Sequence, residues 1–341
     1  MVSRMKAAVV HEFGKPLRIE EVLVPEPGRG EVLIKLIANG VCHTDLHAAQ
    51  GDWPVKPTLP FIPGHEGVGI VAALGPGVTG LKEGDPVGLA WLHDACGECE
   101  YCRTGWDALC PAQRNSGYNV NGSFAEYAIG SATYVGRLPR NVDYAGLAPI
   151  LCAGVTTYKG IKETEAKPGE WIAISGVGGL GQMAIQYAKA MGLHVAALDV
   201  TEEKLALVRE SGADLTVNAT RPDAAAQIVK QTGGGVHGAL VTAVSPPAFS
   251  QAIQMLRRKG TVVLVGLPPG DFKTPIFDVV LGRKTIRGSI VGGRQDLAEA
   301  IAFAAEGKVR SHFHKTRLED INTVFENMKA GKIDGRMVIT Y

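Results

Sequence analysis

Six cysteines and a handful of histidines carry most of the chemistry open to this chain. One cluster opens Cys42-His43-Thr44-Asp45-Leu46-His47 and closes Gly64-His65-Glu66-Gly67-Val68-Gly69. A thiol, imidazoles, a hydroxyl and two carboxylates thus fall within a single turn-rich passage. Thiolate and imidazole together suit zinc, and a catalytic zinc takes three protein ligands and keeps a fourth position for water or substrate. Cys42 and His65 are two candidate ligands. Cys152, in Leu151-Cys152-Ala153-Gly154, is the expected third.

A second cluster reads Cys96-Gly97-Glu98-Cys99-Glu100-Tyr101-Cys102, with Cys110 eight positions later. Four thiols at that spacing close a tetrahedral cage. Four sulfurs leave no place for substrate, so this zinc is expected to be structural and to pin a loop with little apolar material of its own. His93 lies just upstream and is expected to be packed or solvated rather than a ligand, since the cysteine set is complete.

The third signal is Gly176-Val177-Gly178-Gly179-Leu180-Gly181. A strand-like run, Trp171–Ser175, precedes it, and a helix-like run through Met183–Ala190 follows. Glycines at that junction let the backbone approach a pyrophosphate at the helix N-terminus. Asp199 stands eighteen residues past Gly181, after a strand at His194–Leu198. A carboxylate there accepts hydrogen bonds from both ribose hydroxyls and repels the extra phosphate of NADP, which points to NAD.

These groups need elements to hold them. A length of 341 residues favours two domains. The hydrophobic fraction of 45% and charged fraction of 20% are those of a globular protein. A net charge of +1 gives no reason to expect nucleic acid or a membrane as partner. The apolar runs are strand-length, far short of a bilayer span. No secretion signal is visible at the start, so a cytoplasmic location is expected. Short strands are expected at 5–10, 17–24, 31–37, 68–74 and 86–91, a β-rich catalytic unit with long loops. From about residue 168 strands and helices alternate, as in a parallel sheet covered on both faces. Helices are expected at 201–210, 224–230 and 248–257, and strands at 215–217, 238–243 and 261–265. After Ile286 come a strand, helices at 295–306 and 318–329, and a final strand at 336–340. This tail is expected to return to the first domain.

On these motifs the sequence resembles the zinc-dependent medium-chain alcohol dehydrogenases, most closely the bacterial and yeast-like, ethanol-type branch. The resemblance covers nearly the whole chain and rests on Gly64-His65-Glu66-x-x-Gly69, the four-cysteine lobe, and the glycine loop with Asp199. It implies an α/β chain with a GroES-like catalytic domain (1–149 and 286–341, zinc lobe about 93–112) split by a Rossmann NAD-binding domain (150–285), with the active site in the cleft between. It implies that Cys42, His65 and Cys152 bind the catalytic zinc and that Cys96, Cys99, Cys102 and Cys110 bind the structural one. Glu66 matches a carboxylate able to approach the catalytic metal, and Asp45 one that orients the ligand histidine. Thr44 and His47 match a proton relay. Gly176, Val177, Gly178, Gly179, Leu180, Gly181, Val265 and Asp199 fall to the cofactor, with Thr156 near its nicotinamide and Lys204 by the adenosine ribose. His43 and Arg336 match groups on its pyrophosphate, and His43 departs from members with arginine there. Trp53 and Trp91 resemble residues that narrow the substrate pocket. The branch implies a homotetramer.

The chemistry follows. Zinc lowers the pKa of a bound water from 15.7 to about 7, and a bound alcohol is expected to respond likewise. Its carbon then gives a hydride to the nicotinamide. Thr44 passes the proton, through the cofactor ribose, to His47, whose ordinary pKa of about 6.5 suits a station near solvent. Short primary alcohols and their aldehydes are the expected substrates. Alternatives are a dehydrogenase of the same fold for bulkier aromatic or allylic alcohols or polyols, and a non-catalytic nucleotide-binding protein.

Overall fold

A computed structural model describes residues 3–341 of the chain. The chain divides into two compact units. The first holds the chain up to Cys152 together with Gly292–Ala305 and Ser311–Tyr341; the second holds Ala153–Val291 and Glu306–Arg310.

In the first unit the central element is the strand Glu31–Val41, which buries Val32, Ile34 and Leu36 on one face. Its neighbours are Gly67–Leu74 and Tyr127–Ser131, both antiparallel to it. Two register shifts interrupt the pairing with Gly67–Leu74, at Leu33/Ile34 and Leu36/Ala38. Such bulges twist and bend a strand, which is why the apolar alternation in this stretch is imperfect. Of the expected tail, Thr285–Gly288 instead pairs within the second unit, whereas Arg336–Thr340 pairs antiparallel with the far end of the strand Glu31–Val41, Met337 opposite Val41. The passage after Cys42 is an α-helix, His43–Gln50, rather than a run of turns. Asp45 at its third position accepts the Cys42 N–H at 2.9 Å, and Gly51 closes it in the left-handed conformation (φ 64°). That is capping from within the first turn. The helix packs with Ile321–Lys329 and the strand Arg4–Val9 around Leu46, Phe124 and Phe325.

The second unit is a six-stranded sheet, parallel throughout. Its spatial order is Leu215–Asn218, His194–Asp199, Trp171–Ser175, Val236–Val241, Leu256–Leu264 and Thr285–Gly288. Numbered along the chain this is 3-2-1-4-5-6, the dinucleotide-binding order of a doubly wound sheet. The sequence showed it because parallel strands are buried on both faces and read as unbroken apolar runs; Ile172, Ala173 and Ile174 are all 0% exposed. The helix Gly179–Ala190 follows the first strand. Several boundaries differ from expectation, among them the strand near 238–243, which spans Val236–Val241. The helix near 248–257 spans Pro246–Met255, and the next strand starts at Leu256, where it meets Val236 across a register shift. The helix Ala153–Glu163 was not expected at all. Val155, Thr156 and Thr157 are poor helix formers, so packing decides there: a Cβ at Gly160 would lie 2.6 Å from Leu240. Among the described residues, no helix is long and apolar enough to cross a membrane.

Candidate active site

Antiparallel pairing assembles the first constellation. Asn39 lies opposite Gly67, so the end of one strand, Cys42, and the turn before the next, His65-Glu66, come together. Cys152 reaches them from the end of the short helix Ala148–Leu151. One donor atom from each of Cys42, His65, Glu66 and Cys152 lies within 4.8 Å of all the others. The Cys42 and Cys152 sulfurs are 4.0 Å apart. Two sulfurs at the usual zinc–sulfur distance of about 2.3 Å, in a tetrahedron, sit about 3.8 Å apart.

Asp45 sets two of these donors at once. Its Oδ1 pairs with His65 Nδ1 at 2.8 Å, both side chains being 1% exposed, and also accepts the Gly64 N–H at 3.1 Å. Its Oδ2 holds the Cys42 N–H. A carboxylate on Nδ1 keeps the proton there and leaves the lone pair on Nε2. His65 Nε2 is buried and has no hydrogen-bond partner among the described residues. A buried acceptor of that kind, facing two sulfurs, fits a metal ion. The Cys42 thiol is held well below its ordinary range by the neighbouring Cys152 thiol, with burial opposing and the His65 ring assisting.

Glu66 is 0% exposed. One carboxylate oxygen takes the Arg336 guanidinium; the other, Oε2, is buried without a partner among the described residues. Burial pushes this carboxyl up to about 7, with Arg336 pulling the other way. Only glycine fits beside it: a Cβ on Gly40 would fall 1.8 Å from Oε2. Arg336, which the resemblance assigns to the cofactor, is 7% exposed and engages Glu66 here.

Thr44 and His47 lie three residues apart on the helix His43–Gln50, on one face. His47 Nδ1 meets both oxygens of Asp52, at 3.1 and 3.0 Å, and its ring stacks on Trp53 with centroids 5.6 Å apart. His43 is exposed on the same helix. Trp91 stands edge-on to His65 at 5.4 Å, and Tyr118 lies 5.8 Å from Trp53 and 5.5 Å from Trp91. Asp52 and Tyr118 were not singled out from sequence. Asp52 had one available signal, its place directly after the helix-ending Gly51; Tyr118 had none.

In the lobe, one sulfur each from Cys96, Cys99, Cys102 and Cys110 falls within 4.8 Å of the rest. The neighbouring separations are 3.9 Å for Cys96–Cys102, 3.5 Å for Cys99–Cys102 and 3.6 Å for Cys96–Cys110. All six cysteines are free thiols, and these spacings match four thiolates around one zinc. His93 lies outside that cluster, 1% exposed, and neither ring nitrogen has a hydrogen-bond partner among the described residues. Asp107, inside the lobe, is buried and accepts from Arg294 at 3.2 Å.

In the second unit the glycine loop sits between the strand Trp171–Ser175 and the helix Gly179–Ala190, with Gly178 as its N-cap. Gly176 has a φ of 92°, and a Cβ at Gly181 would lie 2.0 Å from Gly176 O, whereas one at Gly178 would meet nothing. The loop therefore closes tightly on itself and stays open at Gly178, the shape of a phosphate cradle. Asp199 ends its strand and holds the loop: Oδ2 accepts the Val177 N–H at 2.8 Å, and Oδ1 those of Val200 and Thr201 at 2.9 and 3.1 Å. Lys204 is exposed on the next helix, Thr156 is buried on Ala153–Glu163, and Val265 follows the strand Leu256–Leu264.

Comparison with known proteins agrees with this geometry. Residues 28–140 match the family model described as the alcohol dehydrogenase GroES-like domain, and residues 179–306 match that of the zinc-binding dehydrogenases. The chain is 64% identical over 335 residues to an alcohol dehydrogenase of Rhizobium meliloti (strain 1021), covering 98% of each. It is 61% identical over 337 residues to one of Moraxella sp. (strain TAE123), covering 99% of each. Among solved structures, the alcohol dehydrogenase of the hyperthermophilic archaeon Aeropyrum pernix superposes with a TM-score of 0.88 at 38% identity, over 98% of this chain and 100% of that one.

Proposed function

The chain belongs to the zinc-dependent alcohol dehydrogenase family and is an alcohol dehydrogenase; from there, we propose that it is NAD-linked and interconverts short primary alcohols and their aldehydes. The observation that carries this reading is the buried, unpartnered Nε2 of His65 facing the sulfurs of Cys42 and Cys152. Those three residues would hold the catalytic zinc, and Cys96, Cys99, Cys102 and Cys110 a structural one, two per chain. Bound zinc supplies Lewis acidity towards the alcohol oxygen, and bound NAD supplies the hydride acceptor.

The chain's own residues do the rest. Asp45 fixes the His65 tautomer and the position of Cys42. Glu66, anchored by Arg336 and bearing one unpaired oxygen, is a carboxylate held in reserve beside the ligands. The Thr44 hydroxyl receives the alcohol proton, and His47 passes it on. The Asp52 carboxylate keeps His47 protonated at Nδ1, so Nε2 is the nitrogen that accepts. The His47 side chain is 39% exposed, which gives the proton an exit to water. Trp53, Trp91 and Tyr118 form a rigid aromatic wall beside His65, which favours small substrates. The glycine loop and the helix beyond it hold the pyrophosphate. Asp199 takes the ribose hydroxyls, and its charge disfavours a 2′-phosphate. We further read the chain as a cytoplasmic homotetramer. Exposed Ile276, Phe277, Val280 and Leu281 on one helix support subunit association.

A kinetic panel tests the reading. Linear alcohols from two to eight carbons, with cinnamyl alcohol, are compared under NAD and under NADP. The expected order of kcat/KM falls with chain length and favours NAD. A preference for cinnamyl alcohol would replace the short-chain reading with that of a dehydrogenase for bulkier alcohols, and a preference for NADP would remove the role given to Asp199.

A further inference from the structure

Behind the turn that carries His65 and Glu66 lies a polar cluster with no part in the reaction described above. Asn39 and Ser123 are both 0% exposed. The Ser123 hydroxyl donates to Asn39 Oδ1, and Asn39 Nδ2 donates to Gly40 O at 2.7 Å. Ser123 grips the turn at both ends. Its N–H donates to Gly64 O at 3.0 Å. Its side chain covers Gly67, where an added Cβ would fall 2.6 Å from Ser123 Cβ. Gly64 and Gly67 are the residues immediately flanking His65-Glu66. The residues beside Ser123 extend the grip: Gly122 N–H donates to Ile62 O at 2.7 Å and Phe124 N–H to Pro63 O at 2.9 Å. The segment Gly122–Phe124 is thus a template on which the approach to His65 is laid.

One side chain from the far end of the chain secures that template. The phenol of Tyr341 donates to Ser123 O at 2.6 Å, and the Tyr341 N–H donates to Ile37 O at 3.1 Å. Ile37 lies on the strand that ends at Val41, next to Cys42. Tyr341 therefore ties the strand leading to one metal donor to the template of another. We propose that Tyr341, acting through Ser123, is a positioning residue for the ligand His65. This rests on the reading of Cys42, His65 and Cys152 as a zinc site. Ser123 is out of reach of water, so removing the phenol leaves a buried carbonyl without its donor, and such a group gains by moving. Any movement of Ser123 is passed to Gly64 by a hydrogen bond and to Gly67 by contact, hence to the ring between them. Outer partners of metal ligands commonly change affinity by about 10–100-fold when removed. Tyr341 stands one bond further out, where the worth of a single neutral hydrogen bond corresponds to roughly fivefold.

The experiment is zinc release from native Tyr341→Phe to a chromogenic chelator, followed as two phases. The phase missing in Cys152→Ser identifies the His65 site. The expected result is release from that site roughly fivefold faster than in the parent protein, with the four-cysteine phase unchanged. Ser123→Ala, which keeps the carbonyl that Tyr341 holds but removes the hydroxyl that donates to Asn39 Oδ1, is expected to act in the same direction. Equal rates in parent and Tyr341→Phe would overturn the proposal, and so would equal acceleration of both phases, which is general loosening. A parent protein that releases only one zinc, from the cysteine lobe, would instead remove the reading on which the proposal rests, and the proposal with it.

Discussion

At the scale of single residues, the site depends on atoms that have been given one direction each. Asp45 spends one oxygen on His65 Nδ1 and the other on the Cys42 N–H, so the two proposed metal donors share one orienting group. Glu66 depends on what its neighbour lacks. A Cβ on Gly40 would lie 1.8 Å from Glu66 Oε2 and 2.9 Å from its Cδ. Gly40→Ala is therefore expected to displace the carboxylate from Arg336 and to lower stability by about 1–3 kcal/mol, the usual cost of overpacking. Calorimetric unfolding checks this, and an unchanged melting temperature would show that the site relaxes freely. Residue types explain what could be read in advance. Cys42, His65 and Cys152 stand out because thiol and imidazole are rare and their chemistry is narrow. Asp52 and Tyr118 are common types, and only the fold shows that one meets His47 and the other closes an aromatic wall.

At the scale of elements, the two halves of the chain differ in how plainly they speak. The parallel strands, buried on both faces, show themselves as apolar runs between glycines, and nearly every one was found within a few residues of its place. In the first unit Arg4–Val9, Arg18–Leu23 and Gly67–Leu74 lie within a residue of expectation, whereas Tyr127–Ser131, whose alternate residues are only partly buried, was not expected. The helix after Cys42 was hidden by its polar sequence; its cap, Asp45, was read only for its role at the metal. The short strand Leu92–Asp94, which enters the zinc lobe, carries its own signature. His93 within it is buried without a hydrogen-bond partner among the described residues, and burial, the largest influence, holds its pKa below 6.5 although Asp94 pulls the other way. The unfolded chain therefore binds a proton at higher pH than the folded one. Stability is full above about pH 6.5 and falls as pH drops from there through the lower folded value. His93→Gln is expected to flatten this part of the profile. Urea unfolding at several values between about pH 5 and 7 measures it, and parallel profiles for the two proteins would contradict the assignment.

At the scale of the whole molecule, the chain passes from one unit to the other directly after a proposed metal donor: Cys152 is the last residue of the first stretch of its unit, and Ala153 begins the second unit. The proposed catalytic donors all lie in the first unit, and the glycine loop with Asp199 lies in the second. Sequence spacing revealed each half of this division of labour separately, because each has a local motif. It did not reveal the brace formed by Asn39, Ser123 and Tyr341, which are distant along the chain (218 positions separate Ser123 from Tyr341) and have no motif. The central claim is that Cys42, His65 and Cys152 share one zinc on which alcohol oxidation depends. Its most direct test is the metal content and turnover of Cys152→Ser. The account expects one zinc per chain in place of two, retained binding of NADH, and ethanol oxidation reduced by more than the roughly 100-fold that loss of an outer partner costs. Two zincs per chain and an undiminished rate would contradict it.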